Sequence, residues 1–318
     1  MKPPSSALAV ELIQNWAKTE GLVFRHNALS GNGAVFSTCG LFRYLLWRRA
    51  VASVPFMSLG MLNPSTADAD ADDPTISRGI GFACAMAFAS EGCAVHIASR
   101  SKESLQSARE KIRARHNVPV EIHPADFSKG DTVRSVVDAV GHADILVNNA
   151  GAIPRGDIFA MTEPKWRESW ELKVFGYINA TRAMLEKMYA RKKGAIVNII
   201  GLAGEAYNYD YVAGSMGNAS LMAFTRTVGS KSVDHGVRVV AINPPATRTD
   251  RMLTLLRGQA EQKWGDPERW PELTKHMPFG RAAEPDEVAD LAVFLASDRA
   301  SYISGVVMTL DGGQAARH

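Results

Sequence analysis

The chain has 318 residues, of which 46% are hydrophobic and 22% charged, as in a soluble globular protein of one large domain or of one domain with an appended segment. Its net charge of +3 comes without a long Lys/Arg block, which argues against nucleic-acid binding. No apolar run predicts a signal peptide or a membrane span, and the three cysteines lack metal-ligand spacing. We therefore expect a cytoplasmic protein that binds no nucleic acid, membrane or metal.

Residues 1–75 are predicted to form a β-rich segment ahead of the main domain. The run from Ala34 to Arg49, with Gly40 near its middle, predicts a hairpin of two strands. The apolar run from Val54 to Leu62 predicts a further strand. A polar, acidic loop over residues 63–74 follows, and it lacks the ligand spacing of an EF-hand, so we expect no calcium site there.

The same segment carries short motifs at Phe36–Gly40, Tyr44–Arg49, Leu62–Asp68 and Asp72–Ile76. In this order they resemble the front half of an uncharacterised bacterial domain family, over residues 24–80. That family has no established activity, so the resemblance implies none. The back half of its domain is missing, and we interpret the chain as a fusion with its junction between Thr75 and Gly81.

Residues 76–318 alternate between strand and helix signals, which predicts a parallel sheet with helices on both faces. The expected fold class is α/β, a Rossmann-like, doubly wound domain with the β-rich segment appended. Thr162 and then Pro164 mark the start of the longest predicted helix. The predicted strands are 94–99, 120–123, 145–147, 195–200, 238–242 and 305–310, and the predicted helices are 101–116, 131–140, 162–191, 212–234 and 285–297.

The most informative motif is Asp-Ile-Leu-Val-Asn-Asn-Ala-Gly, over residues 144–151. A short apolar strand ends there in residues that allow a sharp turn, and ligands of such sheets bind outside the carboxyl ends of the strands. Later motifs of the same kind are Pro278–Arg281, Pro285–Ala289, Phe294–Ser297 and Asp311–Gly313. Together they resemble the short-chain dehydrogenase/reductase family over about residues 79–313.

The resemblance implies a dinucleotide cofactor, with Gly79-Ile80-Gly81 matching the end of the family's glycine-rich turn. The family's first glycine and its preceding strand are absent, so we expect the Val54–Leu62 run to supply that strand. Arg100 follows the second strand, where a guanidinium suits a 2′-phosphate, and NADP is therefore favoured over NAD. Alternatively, Arg100 is a solvated residue at a helix start. The other implied cofactor residues are Asp126, Asn149, Ala150, Gly151 and Thr249, while Asn148 is expected to brace the sheet.

Catalysis in that family uses a Tyr, a Lys four residues later, a Ser and an Asn. Here Tyr211 stands at the Tyr position, while Ser215, Gly201 and Lys173 stand at the Lys, Ser and Asn positions. An ammonium near a phenol favours the phenolate and makes the Tyr an effective acid/base. We expect a catalytic set of Tyr211, Lys173 and Ser215, in which Lys173 supplies the cation from the neighbouring helix. Alternatively, Lys173 is an edge residue and the protein is catalytically silent.

Two hypotheses for the function follow from these residues. The first is an NAD(P)-dependent oxidoreductase that interconverts a small alcohol and its ketone or aldehyde by hydride transfer. The alternative is a catalytically silent dinucleotide-binding or scaffold protein produced by fusion.

An apolar stripe predicts self-association. Trp166, Trp170 and Tyr177 recur at helical spacing, and the helix over 212–234 carries Leu221, Phe224 and Val228 at a similar spacing. Exposed apolar patches mark interfaces, and the resembling family pairs these two helices across a two-fold axis. We therefore expect a homo-dimer or homo-tetramer.

Overall fold

The computed structural model describes residues 79–151 and 153–317, the strand segments 23–27, 32–36, 43–47 and 57–61, and residues 14, 15 and 18. Its contacts divide the chain into two units, Met1–Val54 and Pro55–His318. In the first unit, β1 (Val23–Asn27), β2 (Asn32–Phe36) and β3 (Arg43–Trp47) form an antiparallel sheet in that order. The β2–β3 pair confirms the predicted hairpin. The acidic loop over 63–74 lies outside the described residues.

The second unit is built on a sheet of seven strands, in the order β10-β9-β8-β7-β4-β5-β6. The strands are β4 (Met57–Met61), β5 (Ala94–Ser99), β6 (Val120–Pro124), β7 (Ile145–Asn148), β8 (Gly194–Ile199), β9 (Val237–Asn243) and β10 (Val307–Thr309). Every neighbouring pair is parallel. This confirms the predicted Rossmann-like, doubly wound α/β fold.

β4 is an interior strand of the sheet, although it comes from the apolar run at Val54–Leu62, before the matched domain. Gly60 pairs with Ile97 of β5 on one side and with Val147 of β7 on the other. The Val54–Leu62 run therefore supplies the missing first strand, as expected. The proposed domain boundary between residues 75 and 76 stays a prediction. The division at Val54 and Pro55 follows from the pairing of β4 within the larger sheet.

The helices connect the strands and cover both faces of the sheet. The predicted helix over 162–191 is present, but its middle winds into a π turn, Glu171–Phe175, which holds one more residue per turn than an α-helix. The helices are α1 (Ile80–Ser90), α2 (Lys102–Arg115), α3 (Gly130–Val140), α4 (Glu163–Trp170), α5 (Gly176–Arg191), α6 (Val212–Ser232), α7 (Asp250–Trp264) and α8 (Pro285–Ala296).

The core lies on both faces of the sheet because successive strand residues point in opposite directions. Leu146 belongs to the same buried cluster as Met184 of α5 on one face. Val147 belongs to a second cluster, with Phe88 of α1 and Leu295 of α8, on the other face. The central strands are therefore covered on both sides, and their carboxyl ends remain as the edge where a ligand has access.

A buried polar network joins β7 and β8 near that edge. Asn148 Nδ2 donates to Asn198 Oδ1 (2.8 Å) and Thr181 Oγ1 (3.1 Å), and Asn198 Nδ2 donates to Thr225 Oγ1 (2.9 Å). The network holds the two strands to α5 and α6, so Asn148 braces the sheet as expected. In the part of the chain that the structure describes, no helix has both the length and the apolar character needed to cross a membrane.

Candidate functional site

The strand order reverses between β4 and β7, and ligands of such sheets bind at the crevice beyond this point. α1 begins here: its cap residue Gly79 is extended (φ −88°, ψ 163°), and its first turn carries no acidic side chain. Ile80 is partly buried and Gly81 is buried. Backbone N–H groups and the positive end of the helix dipole attract phosphate at a helix start. The residues present therefore fit the pyrophosphate of a dinucleotide.

Two predicted cofactor residues follow the neighbouring strands. Arg100 comes directly after β5, and its side chain is exposed. Within the described part of the chain its guanidinium has no ion pair. Asp126 follows β6, and its Oδ1 accepts from the backbone N (3.0 Å) and Oγ (2.8 Å) of Ser128. Arg100 and Asp126 both carry polar groups at the carboxyl edge of the sheet. Their contacts with a cofactor stay predictions.

The remaining predicted cofactor residues follow β7 and β9. Asn149 and Ala150 are buried, and Gly151 is partly exposed. Thr249 caps α7, where its Oγ1 accepts from the backbone N of Met252 (3.3 Å). That bond uses the hydroxyl as an acceptor, so its proton is still available to a ligand.

Lys173 lies in the π turn with its stem directly against Gly151. A Cβ at position 151 would overlap Cδ of Lys173, so glycine is required there. Nζ donates to Ile199 O (3.1 Å), Ile200 O (2.9 Å) and Tyr177 Oη (3.2 Å). The structure thus brings the lysine to the carboxyl ends of β7 and β8, beside the residues that follow them.

The electrostatics of Lys173 follow from this burial. Desolvation lowers the pKa of Lys173 from 10.5 to about 7, although three oxygen acceptors around it favour the charged form. An ammonium has three N–H donors, and these acceptors engage all of them. The pairing of Lys173 with Tyr211 therefore stays a prediction.

Tyr211 caps the start of α6, and its ring lies over Gly214. A Cβ at position 214 would overlap Cε1 and Cζ of that ring, so only glycine leaves room for it. Gly156 forms a short parallel bridge with Tyr211, and Trp170 Nε1 donates to Ala213 O (3.0 Å). These bonds fix the first turn of α6 against the loop after β7 and against α4.

Ser215, at the family's lysine position, serves the neighbouring loop. Its Oγ accepts from the backbone N of Asn208 (3.3 Å), and its side chain is buried. Asn208 lies between Tyr207 and Tyr209, which are exposed. Ser215 therefore holds the loop that leads into Tyr211 and supplies no cation. Its assignment to the catalytic set stays a prediction.

Asn218 is a polar residue at this edge that sequence reasoning missed. Its Nδ2 donates to Gly201 O (3.3 Å), and a Cβ at Gly201 would lie 3.0 Å from the same nitrogen. Asn218 follows Tyr211 by seven residues, about two helical turns, and so shares its helix face. The sequence did carry a signal for Asn218. It is an amide at an inward-facing position of a helix whose other inward-facing residues are mostly small or apolar.

The predicted apolar stripe lies mostly inside the subunit. Tyr177 and Leu221 are both 0% exposed, and Trp170 is hydrogen-bonded to α6. Tyr177 and Leu221 therefore face the core and make no subunit contact, whereas Trp166, Trp170, Phe224 and Val228 are partly exposed, and pairing along these helices stays a prediction. The exposed large apolar side chains of this region include Phe175 and Met216.

Comparison with known proteins identifies relatives of this second unit. A family model described as enoyl-(acyl carrier protein) reductase matches residues 75–315. The 3-oxoacyl-[acyl-carrier-protein] reductase of Chlamydia muridarum is 33% identical over 247 residues, covering 75% of this chain and 94% of the relative. Galactitol 2-dehydrogenase (L-tagatose-forming) of Cereibacter sphaeroides is 31% identical, covering 74% of this chain and 90% of the relative.

Solved structures share the fold. L-sorbose reductase from Gluconobacter frateurii, solved with NADPH and L-sorbose, superposes with a TM-score of 0.73 and 28% identity, covering 81% of this chain and 95% of that one. YwfH, an NADPH-dependent reductase involved in bacilysin biosynthesis, superposes with a TM-score of 0.72 and 25% identity, covering 82% of this chain and 98% of that one.

Proposed function

Because the chain belongs to the short-chain dehydrogenase/reductase family of oxidoreductases, we propose that it interconverts a small alcohol and its ketone or aldehyde with an NADP cofactor. The observation that carries the proposal is the placement of Tyr211. Its ring lies over Gly214 at the carboxyl edge, in a first turn fixed by Gly156 and Trp170. An acid/base must be held in a fixed position to act, and these contacts fix the position of the Tyr211 ring.

The chain's own residues manage the proton. A bound NADP cofactor would supply or accept the hydride. Tyr211 gives its phenol proton to the carbonyl oxygen during reduction and takes it back during alcohol oxidation. Lys173, in its protonated form, favours the phenolate of Tyr211. Because burial lowers the pKa of Lys173 to about 7, this support weakens as the pH rises above 7. Ser215 keeps the loop before Tyr211 in place.

The cofactor assignment is supported by two features of α1 and β5. The helix start at Gly79 suits a pyrophosphate, and the exposed Arg100 suits the 2′-phosphate that distinguishes NADP from NAD. Two relatives of similar fold, L-sorbose reductase and YwfH, are described as NADPH complexed or NADPH dependent. NAD is the second choice.

A small hydroxy-carbonyl substrate is supported by the relatives and by a groove at the start of α6. Galactitol 2-dehydrogenase and L-sorbose reductase are named for sugars and polyols. A groove of about 410 Å³ is lined by Tyr207, Tyr209, Ser215 and Met216, among others. Such a volume holds a small molecule, and aromatic side chains offer apolar faces to its carbon skeleton.

Self-association is part of the proposal, through exposed apolar side chains of the same two helices. Phe175 and Met216 are 44% and 50% exposed, and both lie where α5 and α6 begin. Exposed apolar side chains of this size favour subunit contact. Light scattering of the 34.5 kDa chain is expected to give a dimer or tetramer, and a monomer at micromolar concentration would refute this part.

The proposed function is tested by NADPH titration combined with turnover on a panel of small ketones and aldehydes. We expect NADPH binding and turnover by the unaltered protein. Tyr211→Phe is expected to lose about 10²–10⁴-fold in kcat, the usual contribution of an acid/base, without losing NADPH. Tyr302→Phe, a fully exposed phenol that does not line the groove, is the matched control and should keep full activity.

Three outcomes contradict the proposal or part of it. Failure to bind NADPH at millimolar concentration would exclude the cofactor. Binding without turnover across the panel would instead favour the silent dinucleotide-binding or scaffold protein. Equal activity of Tyr211→Phe and the unaltered protein would remove Tyr211 from its assigned role.

A further inference from the structure

The groove at the start of α6 has walls without charge. In the described part of the chain, none of its lining side chains is ionised at neutral pH, since a tyrosine ionises only at about pH 10. Glu205 and Asp210 belong to the same loop but do not line the groove, and Glu205 Oε2 accepts from Thr309 Oγ1 (2.7 Å). A charged ligand in the groove would therefore lose hydration without gaining an ion pair. The lining residues are Tyr207, Asn208, Tyr209, Val212, Ser215, Met216 and Ala219.

Two aromatic side chains line this groove and remain largely exposed. Tyr207 is 78% exposed and Tyr209 is 64% exposed. Among the described residues, neither phenol makes a hydrogen bond and neither ring stacks on another aromatic side chain. The two rings therefore lie outside the core, and each keeps an apolar face available to a ligand.

The backbone between the two tyrosines is held in place by hydrogen bonds. The backbone N of Asn208 donates to Ser215 Oγ (3.3 Å), and Asn208 Oδ1 accepts from the backbone N of Asp210 (2.9 Å). Gly156 N donates to Asp210 O (2.8 Å), which joins this loop to the one after β7. Because the loop is fixed before a ligand arrives, less conformational freedom is lost on binding.

The groove adjoins the residue proposed as acid/base. Tyr211 N donates to Asn208 O (3.1 Å), and Ser215 N donates to Tyr211 O (2.9 Å). Val212, the next residue along the chain, lines the groove together with Asn208 and Ser215. A substrate that reacts at Tyr211 therefore has this groove beside it for the rest of its carbon skeleton.

We propose that the substrate is an uncharged hydroxy ketone that carries a planar ring, and that Tyr207 and Tyr209 select it by packing against that ring. Aromatic rings attract one another in offset or edge-to-face arrangements, beyond the gain from burying their area. The groove, of about 410 Å³, has the size of a small-molecule site. Asn208 and Ser215 add neutral polar groups that suit a hydroxyl. The inference rests on the proposed function and narrows its substrate class.

The test compares three substrates of the full-length protein with NADPH. α-Hydroxyacetophenone and hydroxyacetone differ only in the phenyl or methyl group on the carbonyl carbon. We expect kcat/KM to be at least about tenfold higher for α-hydroxyacetophenone, since even one methylene in an apolar site can change kcat/KM by that factor. Benzoylformate keeps the phenyl ring but carries a carboxylate, and its kcat/KM should be at least about tenfold below that of α-hydroxyacetophenone.

Variants of the two tyrosines test the rings themselves. Tyr207→Ala and Tyr209→Ala should each lower the ratio of kcat/KM for α-hydroxyacetophenone to kcat/KM for hydroxyacetone by about fivefold, through the KM of the aromatic ketone. Tyr207→Phe and Tyr209→Phe keep the rings and should keep the ratio. Tyr302→Ala removes a fully exposed ring outside the groove and is the matched control.

The outcomes separate this inference from the proposed function. If the unaltered protein reduces both hydroxy ketones with kcat/KM values within about threefold of each other, the inference fails and the proposed function stands. Equal losses for both ketones in the alanine variants also overturn it, because the loop would then act only structurally. Loss of the ratio in the phenylalanine variants, or benzoylformate turnover equal to that of α-hydroxyacetophenone, overturns it as well. A protein that reduces no ketone or aldehyde of the panel overturns both proposals.

Discussion

The carboxyl edge of the sheet has two halves that depend on different chemistry. The cofactor half, at β4–β6 and α1, presents a helix start at Gly79 and one exposed cation, Arg100. The catalytic half, at β7–β9 and α6, keeps Tyr211 but has replaced the family's residues at three positions, which now hold Lys173, Gly201 and Ser215. Comparing the cofactor half with the catalytic half shows which parts of a site can be built from other residues.

A binding site made of backbone N–H groups depends on where a helix begins. A side chain, in contrast, can reach the same point from several different helices or turns. The cofactor half therefore keeps its helix start, even though β4 comes from a separate run of the chain. In the catalytic half, Lys173 reaches the end of β8 from the π turn, and Asn218 reaches it from α6. Polar side chains from other elements thus meet the end of β8 where the family's sequence pattern is lost.

The largest expected effect is that of Lys173→Met, which removes the cation from the catalytic half. We expect turnover to fall by at least about 10²-fold, because the phenolate of Tyr211 loses its charge partner. NADPH binding should be unchanged, since the cofactor half does not use this side chain. Lys165→Met, an exposed lysine of α4, is the control and should behave like the unaltered protein. Full activity of Lys173→Met would refute the role of the lysine.

The same variant tests the burial of Lys173 through the pH dependence of stability. The folded-state pKa is about 7, below the 10.5 of an exposed lysine, so between these values the unfolded chain binds more protons than the folded one. The free energy of unfolding should therefore rise with pH across that window, by at most about 1.4 kcal/mol per pH unit. Urea denaturation at pH 7, 8 and 9 measures this slope, and Lys173→Met should lack it. Equal slopes in both proteins would contradict the shifted pKa.

Gly214→Ala should damage the catalytic half by geometry alone. The added methyl displaces the ring of Tyr211, and misplacing a catalytic group by about 1 Å costs about 10²-fold in rate. The helix itself gains about 1 kcal/mol from Ala in place of Gly, so folding is preserved. Gly258→Ala in α7 meets no atom within 4 Å and should leave kcat unchanged. If both variants retain full kcat, the ring position is not required.

The smallest effect is expected in the cofactor half, from Arg100→Ala. Loss of one guanidinium should weaken NADPH about tenfold and leave NADH affinity unchanged, because only NADPH carries the 2′-phosphate. Lys102→Ala removes the same charge two residues further on and serves as the control. Fluorescence titration with both cofactors measures the difference. Equal weakening of NADH and NADPH would assign Arg100 to a general electrostatic role.

Sequence patterns were enough to predict the scaffold. Apolar runs ending in Asn, Gly or Ser located the strands, and the unusual origin of β4 followed from the absence of any other run at that position. The helix over 162–191 was also predicted, but its π turn was not. The steps of four, three and four residues from Trp166 to Tyr177 fit an unbroken α-helix, so the apolar pattern carries no sign of the inserted residue.

The sequence by itself determined the fold, the family and the position of Tyr211, because these depend on periodicity and on motifs read along the chain. Only the tertiary structure decided that Tyr177 and Leu221 face the core, and that Lys173 and Asn218 meet the end of β8. Those contacts join residues far apart in the chain, across helices whose rotation about their axes is set by packing on the sheet. A side chain's partner depends on that rotation, and no local pattern encodes it.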